Sequence, residues 1–159
     1  RSHFFLFTDT KRTGLLPFVF DKGFNFERYT DYALNVPMYF IKRDHKYIDM
    51  TNYTFKDYFE GKCTNLNHEI TLQDWEDHLT TLFPQARLKQ YLEIRSMDAC
   101  SWNLICSQPA FWVGILYDDQ IMDKVCEITQ DWTEEGLTLD IEEDNYVELH
   151  HSTGELNNG

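Results

Sequence analysis

The sequence has 159 residues, of which 42% are hydrophobic and 16% aromatic, and its formal net charge at pH 7 is −13. A chain of this length and composition can bury a core, so we expect one folded domain or a part of one. The acidic residues concentrate in residues 118–148, and the absence of a basic stripe or a long apolar run disfavours nucleic acid and membranes as partners.

The cysteines and the first residue indicate where such a chain could belong. The four cysteines show neither zinc-site spacing nor a disulfide framework, which fits a reducing compartment. The chain opens with Arg1 instead of a methionine, so we expect it to be cut from a longer polypeptide. We predict a cytoplasmic location, with a plastid as the alternative for a plant or an alga.

The first part of the chain predicts a strand, a helix and a hairpin. Residues 4–7 form an apolar run typical of a strand. Asn25 is a suitable N-cap for a helix that continues through Ala33. Residues 36–48 then predict a hairpin that turns near Asp44.

The middle of the chain predicts two helices. Thr54 precedes a short helix that ends at Gly61, and Thr71 precedes a longer helix that runs through Phe83 and is ended by Pro84. His78 lies at the edge of the apolar stripe of the longer helix. A single histidine in that position is usually a hydrogen-bonded structural residue, and we interpret His78 in that way.

Residues 87–95 alternate in the manner of a half-buried strand. Glu93 and Arg95 fall on its charged face, and their separation along a strand would be about 6 to 7 Å. A carboxylate and a guanidinium at that spacing could both act on one phosphate, the carboxylate through a metal ion. The alternative is a solvated strand face on which the two charges partly neutralise each other.

The last predicted elements are helical. Residues 104–116 are apolar on all sides, which predicts a buried helix, and Pro109 indicates that this helix begins near it. Asp118 or Asp119 could cap a further helix over residues 121–130. We expect residues 151–159 to be a disordered tail.

Several motifs then point to one known family. The motifs closely resemble those of the plant and proteobacterial type of glutamate–cysteine ligase, and they occur in the same order over residues 1 to about 120. They are Arg12-Thr-Gly, Leu16-Pro-Phe-Val-Phe20, Val36-Pro-Met-Tyr-Phe40, His78-Leu-Thr-Thr-Leu-Phe-Pro84, Tyr91-Leu-Glu-Ile-Arg-Ser-Met-Asp98, Trp102, Cys106 and Pro109-Ala-Phe-Trp-Val-Gly114.

The resemblance implies an α+β fold, an antiparallel sheet covered by helices that forms part of a glutamine-synthetase-like catalytic fold. Residues 1–150 would be the C-terminal portion of the catalytic domain, with the hairpin at 36–48 and the strand at 87–95 in the same sheet. The implied reaction is the ATP-dependent joining of the glutamate γ-carboxylate to the cysteine amine, which is the first step of glutathione synthesis.

The resemblance also implies the partners of the reaction. These are glutamate, cysteine and ATP, with Mg²⁺ as cofactor. Whether the protein forms a homodimer stays an open question. Most carboxylates for the metal would lie outside this chain, so the chain alone should not turn over.

The resemblance assigns a role to each of seven residues. Their alternatives are ordinary surface arginines for Arg1 and Arg12, a core or rim position for Tyr39 and a buried position for Cys106. The implied roles are Glu93 as metal ligand, Arg95 as catalytic residue on the phosphoryl group, Arg1, Arg12, Tyr39 and Trp102 as substrate-binding residues, and Cys106 as a redox residue.

The chain departs from the family's pattern inside the most similar block. Positions that carry glycine, proline or basic residues in the family carry other residues here, and this leaves a second function open. The alternative is a non-catalytic interaction module on the same scaffold. The departing residues are Ser96, Ala99, Cys100, Ser101, Asn103 and Leu104.

Overall fold

The computed structural model describes residues 7–64, 67–97 and 99–133. Arg1, most of the predicted strand at 4–7 and the predicted tail at 151–159 lie outside these residues. Within the described part of the chain, helices alternate with short two-stranded sheets. This mixture confirms the α+β class, whereas the glutamine-synthetase-like fold stays a prediction.

Eleven helices and strands and one 3₁₀ turn follow one another in the described residues. No helix among them is long and apolar enough to span a bilayer. In chain order they are β1 (Thr13–Gly14), the 3₁₀ turn (Pro17–Phe20), α1 (Phe26–Asn35), β2 (Phe40–Arg43), β3 (Lys46–Asp49), α2 (Phe55–Phe59), α3 (Leu72–Thr80), β4 (Phe83–Pro84), β5 (Ala86–Leu88), β6 (Leu92–Ile94), α4 (Trp102–Leu116) and α5 (Asp119–Thr129).

The predicted N-caps are confirmed. The Asn25 side chain accepts a hydrogen bond from the Arg28 backbone N–H. Thr54 and Thr71 each form a complete capping box with the aspartate three residues later. Each box satisfies backbone N–H groups that have no partner inside the helix, so these three helices begin where the sequence predicts.

The predicted hairpin is also confirmed, as the antiparallel pair β2–β3, but its first strand begins at Phe40 and not at Val36. Its two-residue turn consists of Asp44 and His45, which have φ angles of 48° and 61°. Two consecutive positive φ values are typical of the turn whose twist matches that of the strands, and aspartate tolerates them better than most residues do.

The single shared sheet that we predicted is wrong. The described residues contain three separate two-stranded sheets, in which β1 pairs with β4 in parallel and β2–β3 and β5–β6 form antiparallel pairs. The hairpin and residues 87–95 therefore do not share a sheet.

The continuous strand predicted at 87–95 is wrong as well. The chain turns back at residues 89–91, so that β5 and β6 form a hairpin in which Arg87 pairs with Glu93. Alternation of side chains is the same in one long strand and in two strands that fold back on each other. The pattern therefore gave the correct face for Glu93 but not the turn.

Two clusters of buried apolar residues hold the helices against the β2–β3 hairpin. Trp75 packs against both clusters, and its ring meets that of Phe55 edge to face with centroids 5.0 Å apart. The first cluster is Met38, Ile41, Met50 and Phe55, and the second is Ala33, Val36 and Leu82. The core thus lies around α3.

The end of α3 differs from the prediction. The helix ends at Thr80 and does not reach Phe83, because Phe83 belongs to β4, where its backbone N–H donates to the Arg12 carbonyl. The structural role predicted for His78 is confirmed. His78 is buried, and its Nε2 lies 2.8 Å from the Ala33 carbonyl oxygen of α1.

The predictions for α4 are wrong in two respects. The helix begins at Trp102, with Pro109 inside it, and none of its residues is buried. The apolar sequence predicted burial on the assumption that the chain itself supplies the covering surface. The described residues do not supply it.

Asp74 generates a prediction about acid stability. It is buried, accepts from both Arg43 nitrogens at 2.8 and 2.7 Å, and accepts from the Thr71 backbone N–H. Burial raises its pKa, but the hydrogen bonds from Arg43 and Thr71 outweigh this and lower the pKa below 3.8. We expect Asp74→Asn to reduce the free energy of unfolding at neutral pH by about 2 kcal/mol.

The pH dependence follows from the sign of the shift. The carboxylate contribution is complete above the unfolded pKa and is lost as pH falls through the lower folded pKa. Urea unfolding should therefore show the two proteins converging in acid. Asp21→Asn removes an exposed partner of Arg28 and is the matched control, with an expected change below about 0.5 kcal/mol. A pH-independent effect of Asp74→Asn would contradict the assignment.

Candidate functional site

The candidate site is built on the segment 80–84, which begins with the last residue of α3. The last carbonyl groups of a helix have no partner within it, and their partial negative charge favours a cation. Two arginines from distant parts of the chain bind here. Arg87 Nη1 donates to the carbonyls of Thr80 and Leu82 at 2.7 and 2.9 Å, and Arg12 Nη1 donates to Thr81 Oγ1 at 3.1 Å.

Arg87 continues from this segment to Glu93. Its Nε and Nη2 both donate to Glu93 Oε2, at 3.0 and 2.7 Å. The other carboxylate oxygen, Oε1, accepts from Arg95 Nη1 at 2.8 Å. We call these three residues the Arg87–Glu93–Arg95 triad, in which the carboxylate joins two guanidinium groups.

The triad sets the charge of Glu93. The hydrogen bond from Arg87, together with that from Arg95, lowers the pKa of the Glu93 carboxyl against the opposing effect of burial. A carboxylate held by two cations stays ionised over the neutral range. It can therefore fix the direction of Arg95 without a change of protonation.

Arg95 lies at the accessible end of the triad. Its side chain is 26% exposed, whereas that of Arg87 is 9% exposed. The guanidinium carbon lies 5.4 Å from the centre of the Phe83 ring, and the Arg95 backbone N–H donates to the Gln85 carbonyl. The Arg95 guanidinium thus contacts Glu93 and the Phe83 ring and remains reachable from solvent, an arrangement suited to binding an anion.

The described residues do not by themselves fit a magnesium site. Magnesium requires several oxygen ligands in octahedral geometry. Both oxygens of Glu93 accept from guanidinium groups, and the described part of the chain contains no cluster of three or more histidine, cysteine or acidic side chains. Glu93 could be at most one ligand of a set that is completed elsewhere.

Arg12 and Tyr39 form a second pair on the same segment. Arg12 is 1% exposed, and its Nε donates to Asp9 and its Nη2 to the Pro37 carbonyl, at 2.8 and 2.6 Å. Its guanidinium carbon lies 3.6 Å from the centre of the Tyr39 ring. Tyr39 is 37% exposed. The buried cation therefore supports a tyrosine ring that faces outward.

The remaining predicted site residues are not brought into these two groups. Trp102, the first residue of α4, is 75% exposed. Cys106 is exposed and unpaired, and none of the four cysteines forms a disulfide in the described residues. The buried position considered for Cys106 is therefore wrong. Arg1 lies outside the described residues.

Arg87 is the residue that sequence reasoning missed. It is the first residue of the alternating stretch and lies on the same face as Glu93. The signal available was a further positive charge on that face, beside those of Lys89 and Arg95. Without the turn at 89–91, Arg87 would lie six residues along a strand from Glu93, too far for a hydrogen bond.

The open groove between the 3₁₀ turn and the end of α5 is separate from these groups. It has a volume of about 790 Å³, and its lining residues include none of the predicted site residues. Its walls include Phe18, Phe20 and Trp132. It gives no support to any of the assigned roles.

Comparison of the sequence with known proteins identifies the family of this chain. The model of Glutamate-cysteine ligase family 2 (GCS2) matches residues 1–149. The chain is 54% identical over 136 residues to glutamate–cysteine ligase A, chloroplastic, of Oryza sativa subsp. indica, which covers 85% of this chain and 28% of that protein.

Two further relatives agree. The glutamate–cysteine ligases, chloroplastic, of Medicago truncatula and Arabidopsis thaliana are 55% and 54% identical over 134 residues, with 84% of this chain and 26% of each relative covered. The chain therefore spans little more than a quarter of the length of these relatives.

The triad predicts a specific effect of Arg87→Lys. A lysine side chain carries a single nitrogen and has no planar fork. It therefore cannot reach Glu93 Oε2 and the two carbonyls of the 80–84 segment at the same time. We expect the free energy of unfolding to fall by about 2 kcal/mol. The pKa of Glu93 should rise, measured by NMR titration of its side-chain carboxyl carbon.

Arg28→Lys is the matched control for this measurement. Arg28 makes a single exposed ion pair with Asp21, so its replacement should change the free energy of unfolding by less than about 0.5 kcal/mol. Equal effects of the two substitutions, with an unchanged Glu93 pKa, would show that the triad does not hold Glu93.

Proposed function

This chain belongs to glutamate–cysteine ligase family 2, and we propose that it is part of an ATP-dependent ligase that joins the glutamate γ-carboxylate to the cysteine amine. The observation that carries the proposal is the Arg87–Glu93–Arg95 triad, which presents a fixed, accessible guanidinium group. Because the chain spans only part of its relatives, we assign the reaction to the complete polypeptide. The names of those relatives, which include the word chloroplastic, favour the plastid alternative over the cytoplasm.

The reaction requires an activated carboxylate. A glutamate γ-carboxylate oxygen attacks the terminal phosphorus of ATP and ADP leaves, which gives an acyl phosphate. The cysteine amine then attacks the acyl carbon, loses a proton and expels inorganic phosphate. Catalysis of the first step consists mainly of holding the reactants in line and stabilising charge on the phosphoryl oxygens.

We assign Arg95 to these phosphoryl oxygens. A guanidinium matches the geometry of phosphate with two parallel N–H donors, and a donor that is already oriented loses little entropy when it binds. Glu93 would then act through Arg95, since its Oε1 fixes one edge of the fork. Arg87 is a positioning residue that fixes Glu93.

The role of Glu93 as a magnesium ligand stays a prediction, because the described residues do not fit the metal on their own. A bound metal ion would neutralise triphosphate charge. No role of the residues above depends on it. A role of Glu93 as metal ligand and a role in positioning Arg95 would affect the Mg²⁺ requirement and kcat differently.

We assign Tyr39 and Arg12 to the amino-acid side of the site. Tyr39 presents its ring to solvent and is supported from beneath by Arg12. Every guanidinium nitrogen of Arg12 already donates within the protein, so we propose that Arg12 positions Tyr39. Trp102 and Arg1 remain predicted substrate-binding residues, and Cys106 a predicted redox residue.

The altered loop before α4 supports the alternative function. Cys100 stands where the resembling family has a glycine, and its sulfur accepts from Gln108 of α4 at 3.4 Å. Met97 sulfur likewise accepts from the Trp112 ring N–H at 3.1 Å. A loop bound to α4 at two points has less freedom to close over a substrate, which is consistent with a non-catalytic interaction module.

An activity assay distinguishes the two functions. We define the rice chimera as the Oryza sativa subsp. indica ligase in which this chain replaces the 136 matched residues. The chimera should form γ-glutamylcysteine from glutamate, cysteine and ATP. A folded chimera without turnover, beside an active rice enzyme, would favour the interaction module.

Substitutions in the rice chimera should differ in kind. Arg95→Lys loses the fork and should lower kcat by about 100-fold. Tyr39→Phe should mainly raise the KM for an amino acid. Lys89→Arg, on the turn of the β5–β6 hairpin, is the control and should change neither constant. An unchanged kcat for folded Arg95→Lys would remove Arg95 from the phosphoryl group.

Glu93→Gln separates the two roles of Glu93 in the same assay. Loss of a metal ligand would raise the Mg²⁺ concentration needed for half-maximal activity. Loss of the positioning contact would lower kcat with an unchanged Mg²⁺ requirement, and the triad predicts this second result.

A further inference from the structure

Helix α4 is unusual because it is apolar and exposed at the same time. Its fifteen residues include no charged side chain, and none of them is buried. Helix α5, which packs against α4, has no buried residue either. A helix of this composition normally lies inside a protein core or a membrane, and α4 is too short to cross a bilayer.

The exposed apolar side chains lie on opposite sides of α4. Phe111 and Val113 are 58% and 55% exposed, and two residues along a helix are separated by roughly 200° around its axis. Trp112, between them, faces the loop and donates to Met97. Only one side of α4 therefore packs on the described residues, while the two flanking sides carry uncovered apolar surface.

We propose that the uncovered sides of α4 are an interaction surface for the part of the ligase polypeptide that this chain does not match. The family model includes α4 in its match, so the helix belongs to the family's fold and is not an appended segment. The matched stretch is only 28% of the rice relative. Most of that polypeptide is thus available to cover α4.

A second copy of this chain fits the surface less well. A two-fold contact between two α4 helices would bury one side of each. Phe111 and Val113 would not both be covered by it. A polypeptide that packs around the helix covers both sides, which is the arrangement that an apolar helix requires.

Cys106 offers a direct measurement, because it is exposed on α4. In the 159-residue chain it should react readily with a maleimide under native conditions. In the rice chimera, defined above, it should react at least tenfold more slowly, because the covering polypeptide must open first. Cys63, outside α4 and α5, should react at similar rates in both proteins, with peptide mass spectrometry as the readout.

A pair of variants provides a second measurement. Val113→Asp places a charge on α4 and should lower the Tm of the chimera by more than about 10 °C, but that of the 159-residue chain by less than about 2 °C. Leu72→Asp, at an exposed apolar position of α3, should have the same small effect in both proteins. If Val113→Asp prevents the chimera from folding, while the unmodified chimera and the Val113→Asp chain both fold, the result still supports the proposal.

Two results would overturn the proposal. One is equal labelling of Cys106 in the chain and in the folded chimera, which would show that α4 stays uncovered. The other is self-association of the 159-residue chain, seen by sedimentation, that protects Cys106 to the same degree as the chimera does. The proposal rests on family membership and exposure, so loss of catalysis in the chimera would not affect it.

Discussion

The structure depends on the binding of two buried guanidinium groups to the segment that follows α3. The carbonyls of Thr80, Thr81 and Leu82 lie at the C-terminal end of α3, where a helix leaves its last carbonyls without partners of its own. Arg12, from the start of the described chain, and Arg87, from the strand that follows, donate to them. A buried cation is costly unless it is fully hydrogen-bonded. Each arginine donates to backbone carbonyls and also to one carboxylate, Asp9 for Arg12 and Glu93 for Arg87. Removal of either arginine would take these donors away from the carbonyls of the 80–84 segment.

The two candidate groups are the outward ends of these same arginines. Tyr39 rests on Arg12, and Arg95 reaches Arg87 through Glu93. Both groups are thus connected to the 80–84 segment, and we expect a displacement of that segment to move them together. The proposed ligase function would require such a shared support, since the complete polypeptide would have to hold a phosphoryl group and an amino acid in one geometry. The altered loop and the uncovered α4 have no part in these contacts, and the loop instead binds α4 through Cys100 and Met97.

Local features of the fold could be predicted from the sequence, and features set by distant contacts could not. The caps at Asn25, Thr54 and Thr71 involve neighbours within three residues, so the local sequence was sufficient to locate them. The turn inside residues 87–95 leaves alternation unchanged, and its detection required the pairing of Arg87 with Glu93. The exposure of α4 was missed because an apolar sequence indicates that a helix is covered but not which polypeptide covers it. The resemblance supplied the roles of Glu93 and Arg95, whereas the structure supplied the contact that joins them.

The side-chain Nε–H exchange of the arginines tests their binding to the 80–84 segment most directly. Arg12 and Arg87 each donate through Nε to a carboxylate, whereas Arg28 is about half exposed. In NMR spectra of the ¹⁵N-labelled chain, we expect the Nε–H signals of Arg12 and Arg87 to exchange with water at least about tenfold more slowly than that of Arg28. Exchange of the Arg87 signal at the rate of Arg28 would show that Arg87 is not fixed on the 80–84 segment.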